Sequence, residues 1–336
     1  MPIPARSTRV SVKITDVAAA AGVAPMTVSR VINTPDRVSP ETAIRVKAAI
    51  AKLGYVPNLI AGGLSSRRSR MVAAIVPTIA HPMFAGLVQA FTDALRQAGY
   101  EVMLSLSGYG DDEAQVRALL GRRPDGLLIT GASHSKVTAQ MLTEAQIPVV
   151  EIWDVAAQPI DMLVGFDHGE VGAAVATFFH AKGHDRFAVF SAGDSRALAR
   201  RRGFTEAVRR FGGELIADPV LPAPSTIMEG RAALRDLAPK LDRRTALLCS
   251  SDLLAFGAIT EARVLGIAVP ERLAVCGFGN FELSAANDPA FTTVNVEGAE
   301  TGRTAAAFLL RRLAGAPPAK QDRVHVPFRI VERDST

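Results

Sequence analysis

The sequence predicts an α/β protein: a small N-terminal helix-turn-helix headpiece followed by a larger, two-lobed, doubly wound body. Three observations carry that prediction. Two short helical patterns meet at Gly22 near a basic N-terminus, the charge balance changes sign near Arg70, and beyond Arg70 short β-branched runs alternate with helical stretches. At 336 residues and 48% hydrophobic, the chain is long enough for the headpiece and two full-sized lobes.

Within the headpiece, Thr15 and Asp16 supply N-cap chemistry for a first helix through Ala21, and Gly22 offers the left-handed backbone that ends it. Pro25 stands where a first-turn proline is tolerated. Val28, Val31 and Ile32 fall at i, i+3 and i+4 for a buried stripe, which leaves Thr27, Ser29, Arg30 and Asn33 for other faces. A third amphipathic segment opens at Ser39-Pro40-Glu41-Thr42, read as a capping box, and runs through Ile44, Val46, Ile50 and Leu53 to Gly54. The three helices share one small core. A helix that offers hydrogen-bonding groups and no carboxylate from its first turns can enter a major groove; a plain helical hairpin capping a larger domain is the other reading of the pair alone.

Charge favours the first reading. Up to Arg70 eleven Lys and Arg stand against three Asp and Glu, a charge of +8, while the whole chain carries +5, so the remainder carries −3. A basic head on a slightly acidic body is the asymmetry expected when one end meets phosphate. No apolar run reaches the roughly 18 residues that a membrane span needs, and Met1-Pro-Ile-Pro-Ala-Arg6 has no signal-peptide core. The expected location is the bacterial cytoplasm, on the nucleoid when bound to DNA. Cys249 and Cys276 lie in apolar runs without C-x-x-C spacing and read as reduced core residues.

The body begins with strand-like Met71–Val76, Glu101–Leu106, Gly126–Thr130 and Val149–Ile152. It resumes with Met162–Phe166, Phe187–Phe190, Ala246–Cys249 and Leu273–Phe278, and ends with Thr293–Val296 and one run over Val324–Val331. That rhythm means parallel βαβ units, and there are too many strands for one ordinary sheet. Ligands of such folds sit outside the carboxyl ends of strands.

Enzyme signatures are weak or missing. Gly277-Phe-Gly279-Asn-Phe-Glu282 imitates half of a dinucleotide fingerprint without its third glycine. His180 and His184 have zinc-like spacing, but Gly183 interrupts the helix and no further ligand is placed with them. Asp111-Asp112-Glu113 reads as acids at a helix start. The expectation is therefore no catalytic residue, no metal and no cofactor.

The headpiece resembles that of the lac repressor (LacI/GalR) family of bacterial transcription regulators. The family signature runs close to D-V-A-x-x-A-G-V-S-x-x-T-V-S-R-V-L-N, then V-S, then G-Y-x-P-N-x-x-A-x-x-L. Here it reads Asp16-Val-Ala, Ala21-Gly-Val-Ala-Pro-Met-Thr-Val-Ser-Arg-Val-Ile-Asn33, Val38-Ser39, Gly54-Tyr-Val-Pro-Asn58, Ala61 and Leu64. Several segments resemble the gluconate-operon repressor branch in particular: Pro25-Met26-Thr27, Tyr109 after Gly108, Asp125-Gly-Leu-Leu-Ile-Thr130, Ile147-Pro-Val-Val-Glu-Ile-Trp-Asp154 and Pro159-Ile-Asp-Met-Leu-Val-Gly-Phe-Asp167.

The resemblance implies a disordered tail at 1–11, a headpiece at 12–57, a hinge helix or linker at 58–70 and a periplasmic-binding-protein-like body. Its N-terminal lobe would take 71–166 with 295–318, and its C-terminal lobe 167–294 with 319–336. Lys13, Pro25, Met26, Thr27, Ser29, Arg30, Asn33, Ser39, Tyr55, Asn58 and Leu64 would contact DNA. Pro25 and Met26 offer only van der Waals contact, for example to a thymine methyl. Leu64 would wedge into the minor groove from a hinge helix, although Gly62 and Gly63 also suit a flexible linker.

Phe84, Glu151, Asp154, Arg200, Ser251 and Asn280 would line the effector site between the lobes. A carboxylate at Asp154 can accept two hydroxyl protons, and the Arg200 guanidinium can hold a ligand carboxylate bidentately. The neighbouring Arg196, Arg201 and Arg202 read as solvated surface, and Asp252 as a helix cap. Ser251 and Gly279-Asn280 replace residues that contact neutral sugars in relatives, which favours an acidic ligand. The expected function is a ligand-responsive regulator, a repressor, that binds a palindromic double-stranded operator as a homodimer under control of a sugar acid such as gluconate. A sugar-binding carrier or enzyme with incidental N-terminal helices is the alternative.

Overall fold

The computed structural model describes residues 12–56, 68–108, 112–319 and 322–336. The predicted tail at 1–11, Tyr109, and the hinge contacts Asn58 and Leu64 lie outside the described residues. The chain divides into two compact units, Met1–Ser69 and Arg70–Thr336.

In the first unit, helices α1 (Ile14–Ala21), α2 (Pro25–Asn33) and α3 (Pro40–Leu53) enclose a core of Val17, Ala18, Ala21, Val28, Val31, Val46 and Ala49. Gly22 and Gly54 close α1 and α3 at φ +62°. Two details differ from the sequence reading of the caps. Thr15 and Asp16 lie inside α1, where the Asp16 carboxylate reaches back to accept from the Lys13 backbone N–H at 2.8 Å. Ser39 caps α3 alone, accepting from the Thr42 N–H at 3.4 Å, because Glu41 sits one residue too early to complete a capping box. Ile44 is also 68% exposed rather than part of the stripe. Two positions from Val46 is about 200° around a helix, so burying Val46 and Ala49 turns Ile44 outward.

The second unit contains two sheets. The first has strand order β12-β5-β4-β3-β1-β2, all parallel, from β1 (Met71–Val76), β2 (Glu101–Leu106), β3 (Gly126–Thr130), β4 (Val149–Ile152), β5 (Met162–Gly165) and β12 (Arg323–His325). The second has order β13-β11-β10-β9-β6-β7, from β6 (Arg186–Ala192), β7 (Glu214–Ala217), β9 (Thr245–Cys249), β10 (Leu273–Phe278), β11 (Thr292–Val296) and β13 (Phe328–Val331); β8 (Val220–Leu221) pairs with β6. Central strands such as β1, β6, β9 and β10 are buried almost end to end, as sheets covered on both faces require. Cys249 and Cys276 are fully buried in β9 and β10.

The chain changes sheets three times: after β5, after β11, and between β12 and β13. The last crossing corrects the reading of Val324–Val331 as one strand and of 319–336 as wholly second-lobe. Arg323–His325 pair with β5 of the first sheet, and Phe328–Val331 pair antiparallel with β11 of the second. Pro327 separates them because it has no N–H for a ladder. Helix α12 (Gly298–Leu313) lies against α4 (Pro82–Gln97) so closely that a Cβ on Gly302 would stand 2.4 Å from the Leu87 carbonyl oxygen.

Candidate nucleic-acid interface and ligand cleft

The headpiece presents the first turn of α2 outward. Pro25 is at N1, the turn holds no acid, and Met26 is 63% exposed. Arg30 and Asn33 are exposed, and Thr27 and Ser29 half-buried. The Asn33 amide donates to the Ser29 carbonyl at 3.0 Å and to its hydroxyl at 3.3 Å, so these two residues are pre-set against each other. Lys13 and Ser39 are exposed at the starts of α1 and α3. Tyr55 is half-buried against the headpiece core.

In the body, two adjoining compartments open at the carboxyl ends of both sheets. The inner one, about 40 Å³, is walled by His81, Phe84 and Trp153 of the first lobe and Arg200, Ser251 and Phe278 of the second. The outer one, about 370 Å³, is walled by Ser107, Asp112, Thr130, His134 and Asp154 from the first lobe. Asp194 and Arg196 line both.

Arg200, on α8 (Ser195–Arg210), is 6% exposed. One guanidinium nitrogen donates to the Ser250 carbonyl at 3.1 Å and another to Nδ1 of His168 at 2.7 Å, while the group lies 4.0 Å over the Phe278 ring. Its Nε has no hydrogen-bond partner, and no carboxylate stands within ion-pair distance of it among the described residues. Burial lowers its pKa to about 10, so the charge persists at neutral pH. Asp194, on the wall of the same compartment, supports the charge through space without pairing with it, and a ligand anion in direct contact would further relieve the cost of burying it.

Asp154 faces the outer compartment, its Oδ1 accepting from the Val155 N–H at 2.9 Å and its pKa raised by burial. Phe84 and Ser251 line the inner one. Ser251 also bonds the Ser225 hydroxyl at 2.8 Å and caps α10 (Asp252–Val264), accepting from the Leu254 N–H at 3.3 Å. That displaces Asp252 from the capping role. Its buried carboxyl instead takes the Phe281 N–H at 2.7 Å and the Thr293 hydroxyl, and burial pushes its pKa up to about 7.

Two expected effector contacts lie elsewhere. Glu151 is buried in β4, with one oxygen on Nε2 of His134 at 3.1 Å and the other taking the Ile160 N–H at 2.7 Å, so its acceptor capacity is spent inside the lobe. Asn280 accepts from Arg333 at 2.7 Å and donates to Asn295 at 3.2 Å, and it lines neither compartment. Arg196, read as solvated surface, instead faces the cleft.

Sequence reasoning also missed the imidazoles. His134 bridges Asp112 at 3.4 Å and Glu151 at 3.1 Å; burial alone would lower its pKa, but these carboxylates raise it to about 9. His81 is held neutral, lowered to about 4 by burial and then by Arg200. Among the described residues no group of three His, Cys, Asp or Glu could hold a metal ion, and no helix is long and apolar enough to cross a membrane.

A three-helix module offering a carboxylate-free helix start, on one chain with two α/β lobes around a charged cleft, defines a DNA-binding regulator. The comparisons agree. The family model described as bacterial regulatory proteins, lacI family, matches residues 13–58, and the periplasmic binding protein-like domain matches residues 176–336. The HTH-type transcriptional regulator GntR of Escherichia coli K12 is 31% identical over 89% of this chain and 91% of its own. GntR of Pseudomonas aeruginosa PAO1 is 32% identical over 96% and 95%. A LacI family regulator from Silicibacter pomeroyi superposes with a TM-score of 0.90 at 32% identity, covering 96% of this chain and 99% of that one. The lac repressor dimer bound to operator and the anti-inducer ONPF gives 0.82 at 25% identity, covering 97% and 99%. The chain belongs to the lacI family of bacterial regulatory proteins.

Proposed function

We propose that this regulator is a repressor that binds a palindromic operator as a homodimer, each headpiece taking one half-site, and that a sugar acid such as gluconate in the interlobe cleft controls it. The observation that carries the ligand class is Arg200: buried, charged, and without a carboxylate partner among the described residues. A ligand carboxylate completes that site, while Asp154 and the serines of the outer compartment suit hydroxyls.

The operator half of the reading rests on α2. Thr27, Ser29 and Arg30 supply base and phosphate contacts, with Lys13, Ser39, Asn33 and Tyr55 on the backbone, and Pro25 and Met26 in apolar contact. Asn58 and Leu64 belong to the same proposal as hinge contacts to DNA. A two-fold operator asks for a two-fold protein. The edge strand β2 exposes Leu104 and Leu106, apolar surface suited to a second copy.

Calorimetry with gluconate, galactose and a purine base tests the ligand class. Gluconate should bind, and Arg200→Ala should weaken it by roughly 1.5 to 3 kcal/mol, the worth of a charge-assisted contact. Tight binding of galactose with none for gluconate would overturn the sugar-acid reading.

A further inference from the structure

One buried side chain, bonded to two residues that wall the inner compartment, touches both lobes. His168 is the first residue of α7 (His168–Ala181), just past the first crossing, and is 2% exposed. Its Nε2 lies 2.9 Å from the Trp153 carbonyl of the first lobe, and its Nδ1 lies 2.7 Å from Arg200 of the second. A guanidinium only donates, so Nδ1 accepts, and the single ring proton sits on Nε2 and donates to the carbonyl. Both partners demand the same neutral tautomer. Arg200 and, farther off, Arg196 are the charged groups facing the ring, and with burial they oppose its protonation.

Trp153 is itself unusual. Its φ of +71° is a region that bulky side chains rarely enter, and such backbone persists where the surroundings over-determine it. Here the Trp153 N–H donates to the Val164 carbonyl at 3.0 Å, its own carbonyl is taken by His168, and its indole sits between Phe84 at 5.7 Å and Phe166 at 5.5 Å.

The choice of imidazole has a chemical consequence. Arg200 donates to His168 and to the Ser250 carbonyl, both neutral acceptors, so it is oriented without being neutralised. A carboxylate at position 168 would orient it equally well and discharge it. We propose that His168 is a positioning residue: it keeps Arg200 aimed and charged for an acidic ligand group, and it makes that grip sensitive to the spacing of the two lobes through the Trp153 carbonyl. The proposal rests on the reading of Arg200 as the anion anchor.

Two arms test it on the full-length chain. In the ligand-free arm, nitrogen NMR of the six histidine rings, with His168 assigned by its loss in His168→Gln, should show a neutral Nε2–H tautomer between pH 7.5 and pH 6. A charged or Nδ1–H ring in the unmutated chain overturns the proposal whether or not gluconate binds.

In the ligand arm, calorimetry with gluconate should find His168→Gln, which keeps one donor and one acceptor, within about 3-fold of the unmutated chain. His168→Leu should bind about 10-fold or more weaker, and His168→Glu about 100-fold or more weaker. Trp153 is the only tryptophan, so its emission should change on gluconate addition in the Gln variant and stay unchanged in the Leu variant at saturation. Unaltered binding by the Leu and Glu variants overturns the positioning role. Failure of the unmutated chain to bind gluconate while the ring keeps the expected tautomer overturns the sugar-acid reading and leaves His168's role standing.

Discussion

A Cβ on Gly172 of α7 would stand 2.0 Å from the backbone carbonyl oxygen of Arg200 on α8, so bare backbone sets the distance between these helices. Gly203 repeats the arrangement against the Gly169 carbonyl, also at 2.0 Å. His168 lies one turn before Gly172, and its 2.7 Å bond to Arg200 depends on that spacing. Gly172→Ala should therefore cost about 1 to 3 kcal/mol of stability by overpacking. It should also weaken gluconate binding. Urea midpoints and calorimetry check both, and a variant as stable as its parent contradicts the packing argument.

On the headpiece, Arg30→Ala should weaken operator binding by about 1 to 3 kcal/mol, the worth of one good base contact. The helix should survive, because the core of α2 rests on Val28 and Val31 and not on Arg30. Circular dichroism together with a binding isotherm separates the two effects. An unchanged isotherm would place DNA on another face.

His184 gives the body an acid-sensitive element. It is 2% exposed, neither ring nitrogen has a hydrogen-bond partner among the described residues, and burial lowers its pKa to about 4. The unfolded chain, titrating near 6.5, binds the proton more readily, so this contribution is full above pH 6.5 and is lost as pH falls toward 4. Chemical unfolding at pH 7.5 and pH 5 should differ by on the order of 1 to 2 kcal/mol from this residue. In His184→Phe that difference should shrink.

Glu151 should behave as a structural group. Glu151→Gln removes one of the two carboxylates that raise the His134 pKa to about 9, so the ring's titration should move down toward 6.5. A raised histidine pKa stabilises fully below the unfolded value and loses that contribution as pH rises through the folded one. Measured at pH 6, the variant should lose roughly 1 to 3 kcal/mol. A loss that vanished at pH 6 and appeared only above pH 9 would contradict the charge assignment.

Much of the headpiece was legible because its signals are local. Gly22, Pro25, Ser39 and Gly54 each mark a helix end through one backbone preference, and the structure places the ends there. Apolar runs likewise located the central strands. Ile44 misled because hydrophobicity alone does not say which face is buried, and Pro327 was a boundary hidden inside a β-branched run.

The cleft was harder. The family resemblance singled out Arg200 and Asp154, but what surrounds them comes from distant chain. Glu151 looked available until His134, 17 residues earlier, proved to hold it, and Asn280 until Arg333, 53 residues later, did. His168 joins partners 15 and 32 residues away, a pairing that only the folded lobes create.

The most direct test of the account is selection of the full chain against a random-sequence duplex library, followed by binding to the recovered DNA across a range of salt. The recovered DNA should be a palindrome, with affinity falling steeply as salt rises because several phosphate contacts release counterions. Adding gluconate should change that affinity. Failure to bind any duplex even at low salt, or binding with no two-fold sequence, would contradict it.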